Sequence, residues 1–177
     1  MTRRDLFPAA FVGVLWAAAG WHTTVAGQAP APTAATATTL KIGGDVKTPL
    51  SLMPDELKSL PRTQVEVKDE DGRVVKYEGV LVAELLKKAG APLGSEMRGN
   101  AMATYVTAVA TDGYQVVFSL AELDPAMTSN QIIIADTVDG KPLFAYQGPL
   151  RIIAPKDSRS ARSLRMLERI DVVRLKK

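Results

Sequence analysis

Arg159, Arg162, Arg165 and Arg169 are the side chains whose type and spacing come nearest to doing chemistry in this sequence. Guanidinium groups near a hydroxyl such as that of Ser163 suit a phosphate or another oxyanion, because their planar N–H forks bind oxygens in pairs. The same spacing, three and four residues apart, also describes the solvated face of a terminal helix. Geometry separates the two readings. Side chains converging on a cavity below Asp112 would make a ligand site, and side chains fanning into solvent would not.

Other candidates carry similar pairs of readings. Asp112 and Tyr114 could line such a cavity, or serve a hairpin turn and its cross-strand packing. Asp136 and Asp139 could act as acid and base or hold calcium, or form a solvated loop around Gly140. Met97 and Met102, near Asn100, could meet a soft metal or simply pack. Two absences narrow the field further. The chain has no Cys, and its single His, His22, lies in the first thirty residues. Beyond them, Cys-His and Ser-His-Asp nucleophilic sites, His-ligated haem, and zinc or copper sites built from imidazole and thiolate are all excluded.

Those first residues read as an export signal. Arg3 and Arg4 precede an apolar run from Leu6 to Gly20, with a cleavage site at Thr24-Val25-Ala26, so residues 1–26 are expected to be a signal peptide. The run is shorter than the roughly 20 residues that span a bilayer, so cleavage and a periplasmic or secreted product are expected, with no permanent membrane anchor. The paired arginines also suit the twin-arginine route. Residues 27–39, rich in Ala, Pro and Thr, read as a flexible tether, which leaves 40–177 as one domain. The whole chain has 22 basic and 19 acidic residues, and losing Arg3, Arg4 and Asp5 with the leader leaves a small positive balance. That balance does not favour nucleic acid as a partner; an anionic small molecule or a periplasmic protein fits better.

The elements that must position these groups are organised around Thr104 to Leu123. Val106, Ala108 and Ala110 alternate with Tyr105, Thr107 and Val109. Beyond Asp112-Gly113, Val116, Phe118 and Leu120 alternate with Gln115, Val117 and Ser119. This predicts a hairpin, followed by a short helix from Leu120 to Leu123 that Ser119 and Glu122 cap and Pro125 ends. Upstream the sequence predicts a strand at Leu40 to Ile42, a helix at Pro54 to Ser59, and a hairpin of Thr63 to Lys68 with Arg73 to Glu78. Gly79 is read as breaking that strand before a helix from Val80 to Ala89. Leu93 to Ala103 is a loop suited to the rim of a pocket. Downstream, Gln131 to Ala135 reads as a strand buried on both faces, and a further strand carries Arg151 near its start. A short helix around Ala161 to Leu167 and a last strand, Ile170 to Leu175, follow. Strands outnumber helices and connect by hairpins, so the class is α+β with a mainly antiparallel mixed sheet or barrel and short helices.

Four stretches in order resemble the molybdopterin-binding domain of the sulfite oxidase family, which includes periplasmic catalytic subunits that reduce methionine sulfoxide. They are Tyr77-Glu78-Gly79-Val80-Leu81 with Glu84-Leu85-Leu86; Ala110-Thr111-Asp112-Gly113-Tyr114; Asp139-Gly140-Lys141-Pro142-Leu143; and Gly148-Pro149-Leu150-Arg151 through Pro155 to Ala161-Arg162-Ser163-Leu164-Arg165 and Arg169-Ile170. The resemblance covers nearly all of the chain from Leu40. It implies that family's fold and molybdopterin as cofactor, with Arg151, Arg162, Ser163 and Arg165 against the pterin and its phosphate. It also implies molybdenum held by a Cys between the strand at Thr63 to Lys68 and Tyr77. This sequence has a tight Asp-Glu-Asp-Gly turn there, so it resembles a stand-alone form without the metal-ligating thiolate. Three functions follow: a binding domain for an anionic ligand or protein partner without molybdenum–thiolate chemistry, a working molybdopterin-dependent oxidoreductase, or a ligand-free structural module.

Overall fold

A computed structural model describes residues 39–69 and 71–176. The expected leader and most of the tether lie outside the described residues. The first strand, β1 (Leu40–Gly44), pairs antiparallel with β2 (Leu50–Leu52), and α1 (Pro54–Lys58) follows. Next come β3 (Thr63–Lys68), β4 (Val74–Leu81) and α2 (Val82–Lys88). The central hairpin is β5 (Thr104–Ala110) with β6 (Gln115–Ser119), capped by α3 (Leu120–Leu123). The remaining strands are β7 (Ile133–Val138), β8 (Lys141–Pro142), β9 (Arg151–Ile153) and β10 (Leu167–Arg174).

The strands form two sheets. One has the order β2-β1-β10-β5-β6; in the other, β3-β4-β7-β8 are neighbours and β9 also pairs with β7. Among the described residues every pairing is antiparallel except β1 with β10, so the fold is α+β and mainly antiparallel. The period-two alternation of the central hairpin sends Val106, Ala108, Ala110, Val116 and Phe118 inward, where they meet Leu40, Ile42, Ile170 and Val172. Leu85 and Leu86 of α2, Leu120 and Leu123 of α3, and Val80, Ile134 and Ile152 from one face of the second sheet complete that core. The opposite face of the second sheet builds a smaller cluster from Val65, Tyr77, Ile133, Ala135, Val138 and Ile153. β7 therefore sits between two apolar layers, which is why its Ile-rich run does not alternate.

Turn chemistry follows the sequence closely at the hairpin. Gly113 takes a φ of 86°, the Tyr114 amide donates to Asp112 Oδ1 at 2.9 Å, and Ser119 with Glu122 closes a reciprocal capping box on α3. Two expectations are corrected. Gly79 does not break its strand: it continues β4 at a bulge against β7, where a Cβ would lie 1.9 Å from the Ile134 carbonyl oxygen. The glycine marks a close backbone approach rather than a stop. No α-helix forms at Ala161 to Leu167 either. Ser160–Arg162 is one 3-10 turn, the Leu164 carbonyl accepts from the Ile152 amide, and Met166 adopts a φ of 49° before β10 begins at Leu167. Arginines at helical spacing lack an apolar stripe there, and the neighbouring strand captures the backbone.

Candidate functional site

Arg151 opens β9 opposite Ala135 of β7, and Ala135 belongs to the smaller apolar cluster. Its side chain leaves the sheet on that face and is almost wholly enclosed, at 7% exposure. The guanidinium lies over the Tyr77 ring, 5.4 Å from its centroid, and Nη1 donates to the Tyr77 hydroxyl at 3.0 Å. A longer contact of 3.4 Å runs from Nε to the Ser163 carbonyl. No carboxylate pairs with Arg151 among the described residues. Burial depresses its pKa; the two nearby tyrosines, Tyr77 and Tyr146, work against that shift, and the positive charge of Arg165 adds to it. A buried cation without a counter-ion is costly, which makes Arg151 a candidate for contact with an anion.

The second charge arrives from the loop between β9 and β10. Met166, held in the left-handed region, donates its amide to the Gln147 carbonyl and accepts from the Thr111 amide. This sharp turn sets the preceding Arg165 over the Tyr146 ring at 5.7 Å, and Tyr146 in turn stacks on Phe144 at 5.7 Å and 12°. Both rings are exposed. The Gln147 side chain donates from Nε2 to the Tyr146 hydroxyl at 3.1 Å, while its Oε1 is buried with no donor. Arg151, Arg165, Tyr77, Tyr146 and Gln147 thus form one polar cluster that is rich in donors and free of acids.

The residues singled out from sequence do not all play one part. Arg151, Ser163 and Arg165 come together. Ser163 contributes its carbonyl to Arg151, while its Oγ accepts the Ala154 amide at 3.1 Å and so ties the loop to β9. Arg162 turns the other way, gripping Asp157 at 2.7 and 2.8 Å and Glu122 at 3.2 Å, with its guanidinium 4.8 Å from the Phe118 ring centroid. The two carboxylates raise its pKa well above the ordinary arginine value. Asp112 serves its turn, and the Tyr114 hydroxyl donates to the Ala161 carbonyl at 2.9 Å, pinning the same loop from the hairpin tip. Arg159 is exposed, and Arg169 pairs with Asp171 at 3.0 Å. The basic run therefore neither fans wholly into solvent nor converges as a set.

Tyr77, Tyr146 and Gln147 were not anticipated from sequence. The available signal was an aromatic residue beside a polar one immediately before Gly148-Pro149. Other candidates resolve into structural roles. Asp136 is held by Arg62 through two bonds of 2.6 and 2.8 Å, and Asp139 Oδ1 accepts the Lys76 amide at 3.0 Å. Burial would raise the Asp136 carboxyl, but Arg62 and the Thr137 hydroxyl hold it below the usual carboxylate range. Met97 is buried in the main core and Met102 is exposed. The loop at Leu93 to Ala103 does border a cavity of about 380 Å³, next to another of about 440 Å³, and Lys47, Gly90 and Glu96 line both. These cavities are distant in chemistry from the arginine cluster. Their linings mix both signs, with Lys47, Arg174 and Lys176 facing Asp45 and Glu96 in one and Lys47 and Lys87 facing Glu84, Glu96 and Asp124 in the other, and Lys47 lies 3.9 Å from Glu96. The unbalanced cluster at Arg151 is therefore the stronger candidate.

The donor set also bears on the cofactor that the family resemblance implies. Two cationic side chains, hydroxyls and an amide fit the phosphate end of an organic anion. Molybdenum held through a thiolate does not fit: the chain has no Cys, and no group of three or more metal-binding side chains occurs among the described residues. At the turn where the ligating residue would stand, Asp69 is committed to the Asp71 and Arg73 amides and to the Arg73 guanidinium.

Comparison with known proteins agrees with this fold. No curated protein matches the sequence. The sulfane dehydrogenase SoxCD from Paracoccus pantotrophus superposes with a TM-score of 0.60 at 18% identity, over 76% of this chain and 38% of that one. A likeness at that identity concerns the fold, and this chain spans little more than a third of that protein's length. The family model described as oxidoreductase molybdopterin binding domain matches residues 26–177, and the chain belongs to that family.

Proposed function

We propose that this protein is an exported binding domain that keeps its family's grip on an anion without the molybdenum–thiolate centre. The observation that carries this reading is Arg151, buried and unpaired with any carboxylate among the described residues, with the charge of Arg165 near enough to act on it. The ligand presents an oxyanion to these two side chains, beside the rings of Tyr77 and Tyr146. Nothing in the donor set fixes a soft metal.

The test has two parts. The protein, purified from a host that makes the cofactor, is assayed for molybdenum by elemental analysis and for pterin by fluorescence after oxidation. Its thermal stability is then followed against inorganic phosphate, with Arg151→Met as control. Molybdenum is expected well below stoichiometric amounts. Phosphate at 100 times its Kd should add about 2.7 kcal/mol to the wild type and nothing to the variant.

Family membership favours a second reading, a working molybdopterin oxidoreductase. Near-stoichiometric molybdenum would establish it and overturn ours. Stability indifferent to anions, without cofactor, would leave the ligand-free structural module. Export belongs to the proposal too, and sequencing the amino terminus of the protein recovered from the periplasm checks it.

A further inference from the structure

The rim loop and the turn between β1 and β2 border the two cavities, and one wall residue carries a charge that its surroundings do not cancel. Asp124 is only 3% exposed and lines the cavity of about 380 Å³. Its carboxylate oxygens accept one amide each, Oδ2 from Gly94 at 2.6 Å and Oδ1 from Ala126 at 2.9 Å, and its carbonyl accepts from Met127 and Thr128. The group is held firmly, yet no lysine or arginine pairs with it among the described residues. Two amides occupy part of its acceptor capacity and leave its charge, so a buried carboxylate beside open space offers a seat to a cation. Ala83, Ala91, Leu93 and Pro125 give the same cavity an apolar lining.

The neighbouring cavity, of about 440 Å³, has the opposite bias. Lys47 and Glu96 belong to both cavities and pair with each other, so they cancel. What remains is Glu84 and Asp124 against Lys87 on one side, and Arg174 and Lys176 against Asp45 on the other. Asp45 is also engaged by the Arg174 amide at 2.9 Å. One cavity thus keeps an excess of negative charge and the other an excess of positive charge. The divider between them is slight. The stem of Lys47 crosses Gly90, where a Cβ would lie 2.8 Å from that of Lys47, and the paired side chains are 73% and 59% exposed. An exposed pair of that kind holds weakly and can part.

We infer that the two cavities form one site for an extended dipolar molecule, a short peptide with both termini free, its ammonium beside Asp124 and its carboxylate beside Arg174 and Lys176. A free α-amino acid carries both charges on one carbon and cannot place them in separate cavities, whereas a tripeptide spans about 10 Å. Each cavity has the volume of a small-molecule pocket, and the small apolar walls suit alanine-sized side chains. Capture of a free amino or carboxyl end is an established mode of peptide recognition.

The experiment is calorimetric titration of the full chain at pH 7 and low salt with tri-alanine, N-acetyl-tri-alanine and tri-alanine amide. Tri-alanine is expected to bind, and each blocked peptide to bind at least about 10-fold more weakly, because one end loses its bond to a charged group. Arg174→Met should bring tri-alanine down to the affinity of its amide. Arg151→Met should change nothing, which separates this site from the arginine cluster. Failure of tri-alanine to bind overturns the inference, and so does binding indifferent to acetylation. Indifference to amidation would leave a site for cations alone and overturn the dipolar reading. Binding lost in Arg151→Met would put the peptide at the arginine cluster and overturn the assignment as well. Arg174 is exposed at the end of β10, so its replacement leaves the core untouched, and the blocked peptides test both ends without any variant.

Discussion

Arg151 and Arg162 are both large cationic side chains set against aromatic rings, and the structure predicts opposite outcomes when each is replaced by methionine. Arg162→Met strands two carboxylates, Asp157 at 16% and Glu122 at 27% side-chain exposure, and removes a guanidinium that is itself 35% exposed. Breaking a fully buried pair costs about 3–5 kcal/mol, whereas exposed pairs contribute about 0.2–1 kcal/mol. Partial exposure puts this triad between them, at about 2–3 kcal/mol. Arg151→Met strands no charge. It gives up one good hydrogen bond to Tyr77, a long one to Ser163 and a cation–π contact, together about 4–5 kcal/mol. Against that it removes the desolvation cost of a buried, unpaired cation, which is several kcal/mol. The net change is expected to stay within about 1 kcal/mol. At about 3–4 °C per kcal/mol for a chain of this size, Arg162→Met should lower Tm by about 6–12 °C and Arg151→Met by less than about 4 °C. Thermal and urea unfolding at pH 7 and low salt would measure both. Arg151→Met proving as damaging as Arg162→Met would refute the claim that Arg151 lacks a counter-ion.

Three more outcomes follow from particular contacts. Gly79→Ala should cost at least about 3 kcal/mol or force β4 to re-register, measured by urea unfolding, because backbone atoms of Ile134 and Ala135 occupy the place of the new methyl. Tyr114→Phe should cost about 1 kcal/mol and raise amide exchange around Ala161, since the loop loses the hydroxyl that pins it. Asp136→Asn should be less stable than wild type at neutral pH by about 2–3 kcal/mol, and acid should erase the difference. The folded carboxyl sits below its unfolded value of about 4, so its stabilisation is complete above that pH and drains away as pH falls through the folded value. Stability curves that stay parallel down to acid unfolding would count against the Arg62–Asp136 pair.

The sequence announced the hairpins well because each was specified twice, by period-two alternation and by a turn dipeptide such as Asp112-Gly113. The α3 cap was legible for a similar reason: Ser119 and Glu122 are local partners that need nothing from the rest of the chain. Gly79 misled because a glycine required by a neighbouring strand looks the same in sequence as one that ends a strand. The arginines from Arg159 to Arg169 misled further, since their spacing suits a helix and only Ile152 reveals that the Leu164 carbonyl is engaged elsewhere. For the candidate site, the sequence supplied the cations but not their fates. Arg162 is neutralised by Asp157, five residues away, and by Glu122, 40 residues away, whereas Arg151 meets Tyr77 across β7; the relations to Glu122 and Tyr77 are set by tertiary packing alone.

The pairing of β1 with β10 has a consequence for how the chain acquires its structure. β10 is the middle strand of its sheet and the last of the described strands to be synthesised, joined to β1 on one side and β5 on the other. Until it arrives, β2-β1 and β5-β6 are two separate hairpins, and isolated two-stranded units are at best marginal in water. Folding of that sheet therefore waits on contacts that close almost the full length of the domain, which slows it relative to a chain of local contacts. A chain that stops short of Leu167 is not a smaller version of this domain but two unjoined ribbons with their apolar faces open to aggregation.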